Sequence, residues 1–411
     1  MTGPGPLAGA PWLRAEASRR LLAALSADGK EARFVGGCVR DGLLDPQWYG
    51  PDLDVATQEP PFRVQALLAR AGLRGIPTGI EHGTVTALVD DRRYEVTTLR
   101  RDVACDGRHA EVAFTEDFEA DAARRDLTIN AMSCDIDGRV FDPFGGWADL
   151  KAGRIRFVGD PAQRIREDYL RILRYFRFYA RFGRPPADAA ALEACSALVW
   201  GLNRLSGERV RKEFLGILGA GGAVPAVALI IQTGALGHVV QGPVHPARLD
   251  RLVERFGAPD PLLRLAALLG EADRDRVLAI ARRLTLSNVE RDRLLDLLRP
   301  PPADPDATSN QQRFEIDAWG GALHADRLKL ASLGPEVSPA LGEALALAVS
   351  WKPPIFPVGG ADLLTRGVPQ GPELGRLLAE LRRWWQQQDF APDREACLAR
   401  LDALLSRGDG G

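Results

Sequence analysis

Two short stretches of this chain carry residues suited to chemistry. The first is Phe34-Val35-Gly36-Gly37-Cys38-Val39-Arg40-Asp41, and the second, shortly after it, is Asp52-Leu53-Asp54. Phe34-Val35 reads as the end of a buried strand. Gly36 and Gly37 lack Cβ atoms, so a triphosphate can approach their backbone N–H groups. The chain then turns into a helix whose N-terminus favours anions. Arg40, one turn in, can add a charge-assisted fork to the same phosphate. Asp52 to Ala56 reads as a second strand, on which alternation puts Asp52 and Asp54 on one side. Two carboxylates on one face near a triphosphate suit Mg²⁺. That is the minimum equipment for metal-assisted nucleotidyl transfer. Gly-Gly turns and Asp-x-Asp are each common by chance, so the signal lies in their order and spacing.

Further candidates follow along the chain. Glu95, within Arg93 to Thr97, is either a third carboxylate facing the Asp pair or a solvent-facing strand residue. Arg92, Arg93, Arg100 and Arg101 flank it. Asp106-Gly107-Arg108-His109 reads as a polar loop between a hairpin and the next helix, either ordinary surface or a mobile loop beside the site. Arg124 to Ala131 reads as a short helix. There Arg125, Asp126 and Asn130 offer donors and acceptors for a ribose or phosphate, or form a capped, charged helix.

Glu167 to Arg181 gives the sharpest helical signal. At roughly 100° per residue, Tyr169, Ile172, Leu173, Phe176 and Ala180 share a core face. Asp168, Arg171, Arg174 and Arg177 recur every third residue on another face, with Tyr175, Phe178 and Phe182 beside them. Charge runs on helices are commonly solvated, but interleaved aromatics favour a site. A carboxylate acceptor beside a guanidinium donor matches the amino and ring-nitrogen edge of cytosine and adenine. Uracil and guanine reverse that order, and a buried mispaired charge is costly enough to reject them.

The elements that must position these residues follow from pattern. Residues from about 31 to 158 alternate short strands and helices. Thr84 to Val89 and Arg92 to Leu99 form a hairpin around Asp90-Asp91. Cys134 to Gly138 and Val140 to Asp142 form another, turning at Asp137-Gly138. From about residue 159 strand signals vanish and helical periodicity takes over, punctuated by Pro and Gly. The chain therefore reads as α+β, a mixed-sheet head followed by an all-helical remainder. Arg299 to Pro305 reads as a linker or long loop. Met1 to Ala10, rich in Gly, Pro and Ala, reads as a frayed tail.

Composition bounds the rest. The 411 residues allow two to four domains, and 45% hydrophobic with 26% charged residues is ordinary for a soluble globular protein. The 53 Lys+Arg against 55 Asp+Glu give a net charge of -2, so any nucleic-acid site must be a local patch. Five widely spaced cysteines form no C-x-x-C pair, which suits free thiols in a reducing compartment. The five histidines do not cluster at metal-ligand spacing, and none precedes an Asp, so no appended metal-dependent phosphohydrolase is expected. No apolar run spans a membrane and no signal-peptide pattern is present, so a cytoplasmic protein is expected. Nothing in the sequence sets an oligomeric state.

Gly36-Gly37, Arg40-Asp41, Asp52-x-Asp54, Arg124 to Ala131, Glu167-Asp168-x-x-Arg171 and Glu208 to Glu213 occur in an order that resembles one family. It is that of the bacterial (class II) tRNA nucleotidyltransferases and the closely related bacterial poly(A) polymerases. The match covers residues 31 to about 218, and the head resembles that of the DNA polymerase beta superfamily. The resemblance implies a nucleotidyltransferase head at 31–158, after an N-terminal tail and helix at 1–30. A helical neck with the base-reading helix at 159–222, then a helical body and tail at 223–411 that would bind tRNA, complete the chain. It implies metal-dependent addition of CCA to the 3′ end of tRNA from CTP and ATP, with release of pyrophosphate. One alternative is a poly(A) polymerase adding 3′ A tails to RNA. The other is a non-catalytic RNA-binding relative, against which intact Asp52, Asp54 and Asp168 count. By the resemblance, Gly37 and Arg40 contact the triphosphate, Asp52 and Asp54 hold Mg²⁺, and Arg125 with Asp126 serves the sugar. Asp168 and Arg171 read the base, Arg174 and Arg177 support that site or the phosphates, and Glu208 to Glu213 brace the reader helix. The sequence departs from the family pattern at Leu43 to Pro51, where Pro51 stands in place of a usual basic residue. Beyond residue 220 the resemblance is diffuse. Ile355 to Gly367 and Gly371 to Gly375 read as two helices joined by a Gly-rich turn, with Trp384 and Trp385 as core or lid.

Overall fold

The computed structural model describes residues 5–51, 53–106 and 109–408. Seven strands form one sheet: β1 (Ala32–Val35), β2 (Leu53–Thr57), β3 (Arg74–Gly79), β4 (Thr84–Val89), β5 (Arg92–Thr98), β8 (Ser133–Cys134) and β9 (Val140–Phe141). Their order is β3-β4-β5-β2-β1-β8-β9. β2 runs parallel to β5 and the other pairs are antiparallel. Between β5 and β8, β6 (Arg100–Asp106) and β7 (His109–Phe114) make a separate two-stranded sheet.

Alternation along β2 and β5 gives the sheet two unlike faces. Leu53, Val55, Tyr94 and Val96 are fully buried, whereas Asp54 and Glu95 between them are not. The apolar face lies under α1 (Pro11–Arg14), α2 (Glu16–Leu25), α3 (Gly37–Leu44) and α4 (Pro61–Arg70). Trp12 meets Phe34 edge-on at 4.9 Å, and the Tyr94 hydroxyl bonds Ser18 on α2 at 3.1 Å. Each large apolar side chain buried here contributes roughly 1.5–3 kcal/mol. That packing holds β2 and β5 rigid beneath the other face.

Both predicted hairpins are present. The frayed tail is not found over residues 5–10. Leu7 and Ala10 are buried, and the Leu7 N–H donates to the Gly138 carbonyl at 3.2 Å, so the β8–β9 turn gives this segment a surface to pack on. Asp106 and His109 are antiparallel partners at the ends of β6 and β7, not part of a loop leading from a hairpin to a helix, and Gly107 and Arg108 of the expected loop lie outside the described residues.

Two helix expectations need correction. α5 (Phe118–Ala123) ends before Arg124, and the stretch to Ala131 holds only a 3₁₀ turn at Thr128–Asn130. Its backbone pairs elsewhere, with Thr128 N–H on the Arg156 carbonyl and Val158 N–H on the Asp126 carbonyl, both at 3.0 Å. After α6 (Gly146–Ala152), the expected continuous helix from Glu167 to Arg181 is two helices, α7 (Pro161–Glu167) and α8 (Leu170–Phe182). Asp168 is extended (φ -156°, ψ 108°), and its carboxylate accepts from the Leu170 N–H at 3.1 Å, restarting the helix. The predicted core face holds, because Tyr169, Ile172, Leu173, Phe176 and Ala180 are all buried. α9 (Ala189–Leu198), α10 (Gly207–Leu218) and α11 (Ala223–Gln232) follow, with α10 and α11 packed on α8.

The chain divides into two compact units. One comprises residues 1–242, 259–261 and 278–286, and holds everything described so far. The other comprises 243–258, 262–277 and 287–411, and helices are the only regular elements among its described residues. Its cores gather Ile316, Leu328 and Ala344, then Leu363, Leu381, Trp385 and Leu401. Arg299 to Pro305 is a packed loop inside this unit, with the Arg327 guanidinium donating to the carbonyls of Arg299 and Pro301. The helices Gly360–Leu364 and Pro372–Gln387 stand where the Gly-rich pattern puts them, and Trp385 is core. Among the described residues no helix is long and apolar enough to cross a membrane.

Candidate active site

A cavity of about 590 Å³ opens on the carboxylate face of the sheet. Asp54 and Glu95 enter it from adjacent parallel strands, and the register makes them direct Cα partners. Glu95 therefore stands beside Asp54 on the same face, in favour of the third-carboxylate reading. Asp52 lies outside the described residues. Among the described residues no group of three or more His, Cys, Asp or Glu side chains forms a metal cage. The carboxylates present are hard oxygen donors in a polar cavity, which fits a divalent cation of the Mg²⁺ type. Cys38 on α3 is not a competing ligand or nucleophile, because burial and then the Asp54 charge push its thiol up to about 12.

The wall expected to meet a triphosphate is built by the β1–α3 turn. Gly36 caps α3 at φ 72°, ψ -121°, a backbone state that glycine tolerates and L side chains avoid. A Cβ there would also come within 3.0 Å of the Arg125 guanidinium. Gly37 opens the helix and lines the cavity. Arg40 is buried and largely committed to the protein. It forks onto Asp41 at 2.9 and 3.0 Å and donates to Asn130 Oδ1 at 2.5 Å. Two of its five N–H donors remain, and its charge sits beneath the turn.

The segment from Arg124 to Asn130 closes the next wall. Arg125 donates to the Asn130 carbonyl at 3.2 Å and pairs with Asp121 at 3.3 Å. Asp126 accepts from Leu127 N–H at 2.8 Å, Asn130 Nδ2 at 3.1 Å and Arg174 Nε at 2.7 Å. Burial opposes ionisation of Asp126, but Arg174 and these hydrogen bonds outweigh it and hold its carboxyl below the ordinary range.

α7 and α8 supply the far wall. Asp168 pairs with Arg209 of α10 at 2.7 Å, not with Arg171. Arg171 is tied to Glu167 at 2.5 Å and to the carbonyls of Arg164 and Arg124 at 3.0 and 3.3 Å. Arg174 joins Asp126, and Arg177 joins Glu213, a buried residue of α10. The expected brace from Glu208 to Glu213 thus acts through Arg209 and Glu213. Arg40 lies over the Phe178 and Phe182 rings at 5.2 and 4.8 Å, which accounts for aromatics beside the charged stripe.

A model of the poly A polymerase head domain matches residues 32–156. The mitochondrial CCA tRNA nucleotidyltransferase 1 of Mus musculus is 37% identical over 403 residues, covering 94% of this chain and 90% of its own. The CCA-adding enzyme of Limosilactobacillus fermentum is 31% identical, covering 95% and 97%. This chain belongs to the CCA-adding enzyme family. A solved structure, the CCA-adding enzyme of Bacillus stearothermophilus in complex with CTP, is similar over 97% of this chain and all of that one. It aligns with a TM-score of 0.74 at 26% identity.

In this family member, the cavity brings together every sequence-predicted site residue that the structure describes. It also brings in Thr97, Arg124, Arg181 and Arg209, which sequence reasoning did not place at the site, together with Arg100 and Phe178, which it noted only as neighbours of Glu95 and of the charged stripe. Arg209 lay within the Glu208 to Glu213 run, but no sequence signal paired it with Asp168. Arg100 was noted as flanking Glu95, and the β-hairpin geometry turns it inward. Nine arginines (40, 100, 124, 125, 171, 174, 177, 181 and 209) against four carboxylates (54, 95, 126 and 168) line the cavity. That local excess attracts a polyanion despite the near-neutral chain.

Proposed function

We propose that this chain adds C, C and A to the 3′ end of tRNA from CTP and ATP, releasing pyrophosphate. One observation carries the reading: a single arginine-rich cavity holds the Gly36-Gly37 turn, the Asp54–Glu95 pair and Asp168. Family membership supports it, as does similarity to a CTP complex. Asp52 and Asp54, with Glu95 beside them, would hold Mg²⁺. When bound, that ion activates the primer hydroxyl and offsets charge on the departing pyrophosphate.

The chain's own residues do the rest. Gly36 and Gly37 present backbone N–H groups to the triphosphate, with Arg40 adding charge from below. Arg125, Asp126 and Asn130 receive the sugar. Asp168 keeps lone pairs beyond its bonds to Leu170 and Arg209, so it accepts the amino group of cytosine or adenine. Arg171 donates at the neighbouring ring nitrogen, while Arg174 and Arg177 hold the wall against α10. The helical region after residue 220 binds the body of the tRNA. Cys38, Cys134, Cys195 and Cys397 are free and buried, which supports a reducing compartment, and we place the protein in the cytoplasm.

The same head would serve A-only addition. Incorporation of labelled CTP into tRNA lacking its 3′ end separates the two, and incorporation of ATP alone would favour poly(A) synthesis.

A further inference from the structure

A second cavity, of about 310 Å³, opens on the same face of the sheet. Arg33 on β1 is the Cα partner of Ala56, two residues along β2 from Asp54 and on its side. Val35 faces Ser133, and Ser133 faces Phe141, so the lining continues outward across β8 and β9. Arg125 lines both cavities and forms their common wall.

We infer that this second cavity is a subsite for a cytosine or adenine base of the primer's single-stranded 3′ end. The proposal rests on the functional reading above and adds a place for the strand being extended. Three observations support it. The Arg33 guanidinium lies 4.0 Å from the Phe118 ring and 3.7 Å from the Phe141 ring, and Glu31 holds it at 2.5 Å. This gives a fixed aromatic and cationic wall of the kind on which unpaired bases stack. The charge is also unlike that of the first cavity. Glu119, Asp121 and Asp142 line it against Arg33 and Arg125, with Arg33 paired to Glu31 and Asp121 paired to Arg124 and Arg125. A lining with more carboxylates than guanidiniums disfavours a phosphate, so a free nucleoside triphosphate suits the cavity less well than a base with its phosphodiester outside. Finally, the Glu119 carboxylate makes no ion pair among the described residues and accepts only, which suits an exocyclic amine. Cytosine and adenine, the bases that the proposed reaction leaves on the growing end, carry one.

The test compares wild type with Glu119→Gln and Phe141→Ala on tRNA ending in the first added C. The KM for tRNA should rise about fivefold or more in each variant. The KM for CTP should stay within about twofold. Primers with an abasic residue at the last or the penultimate nucleotide locate the base. At one of these positions wild type should lose the same factor, and the variants should lose nothing further. The proposal is overturned if the variants match wild type on intact tRNA, if their defect persists at both abasic positions, or if the KM for CTP rises in parallel. Glu119 is exposed, so Glu119→Gln decides alone if Phe141→Ala does not fold. Failure of wild type to incorporate CTP at all would count against the functional reading. Normal incorporation with unaffected variants would count against the subsite only.

Discussion

The strand-borne and helix-borne sides of the main cavity are held by different means. Asp54 and Glu95 are aligned by backbone register, since each is the other's partner in a parallel pair whose opposite face is packed under helices. The helix-borne side has no such ladder. Asp168 is fixed by Arg209, Arg171 by Glu167, Arg174 by Asp126 and Arg177 by Glu213. A side-chain truncation on the strands therefore removes chemistry and leaves geometry. One on the helices removes geometry together with chemistry, because each charge is a strut for another.

The sharpest way to break this comparison is at Asp54. Asp54→Ala should lower CTP incorporation by about 10³-fold or more, because several kcal/mol of charge stabilisation is lost. The thermal midpoint should be nearly unchanged, because the strand keeps its hydrogen bonds. Substantial turnover in the folded variant would remove the carboxylates from the reaction. On the helical side, Glu213→Gln should show the opposite pattern. It leaves Arg177, and the more distant Arg174 at 3.9 Å, without their buried carboxylate. Stability should fall by about 3 kcal/mol in urea unfolding, the low end for breaking a buried pair, since both guanidiniums are partly exposed. Selectivity should suffer with it. A fully stable variant with wild-type selectivity would show that the wall does not depend on this strut.

The same contrast explains what the sequence revealed. Strand alternation has a period of two, so Asp52 and Asp54 could be placed on one side from spacing alone, whereas Glu95, on another strand, stayed open between the Asp pair and solvent until the β2–β5 register paired it with Asp54. The head, its two hairpins and the helical remainder followed from equally local patterns. Partner choice is not local. Arg209 is 41 residues from Asp168, and Arg174 is 48 from Asp126. Periodicity placed Asp168 and Arg171 one turn apart on one helix, yet the extended Asp168 backbone ends the preceding helix and its carboxylate takes the Leu170 N–H at the start of the next. Arg124 to Ala131 looked helical because its propensities are acceptable. Its backbone is instead claimed by Arg156 and Val158, which no local signal announces. Leu7 gave no sign of packing until the Gly138 turn was in place.

Asp168 tests whether the helical side reads bases or only supports them. Asp168→Ala removes the acceptor for the exocyclic amine and leaves Arg209 without its partner. If Asp168 reads the base edge, use of UTP or GTP relative to CTP should rise about 5- to 150-fold, the value of one buried hydrogen-bond mismatch. The check is single-nucleotide incorporation measured separately for all four nucleotides. An equal fall for all four would make Asp168 a strut like its neighbours.

The smallest expected effect concerns Asp126, where the two sides meet. Burial raises its carboxyl, and Arg174, Asn130 and the Leu127 N–H together outweigh burial, so it titrates lower in the folded chain than in the unfolded one. A depressed carboxylate contributes stability that is fully present above the unfolded value of about 3.9. That stability is lost as pH falls through the lower folded value. Asp121, held down by Arg124 and Arg125 against its own burial, contributes acid sensitivity of the same sign, so wild type alone does not isolate Asp126. The difference between wild type and Asp126→Asn does. In urea unfolding from roughly pH 6 to pH 2, wild type should be the more stable at the upper end, and the gap should close towards the lower end. A gap that stays constant across the range would mean that Asp126 acts through shape and hydrogen bonding, with its charge contributing nothing to holding Arg174 in the wall.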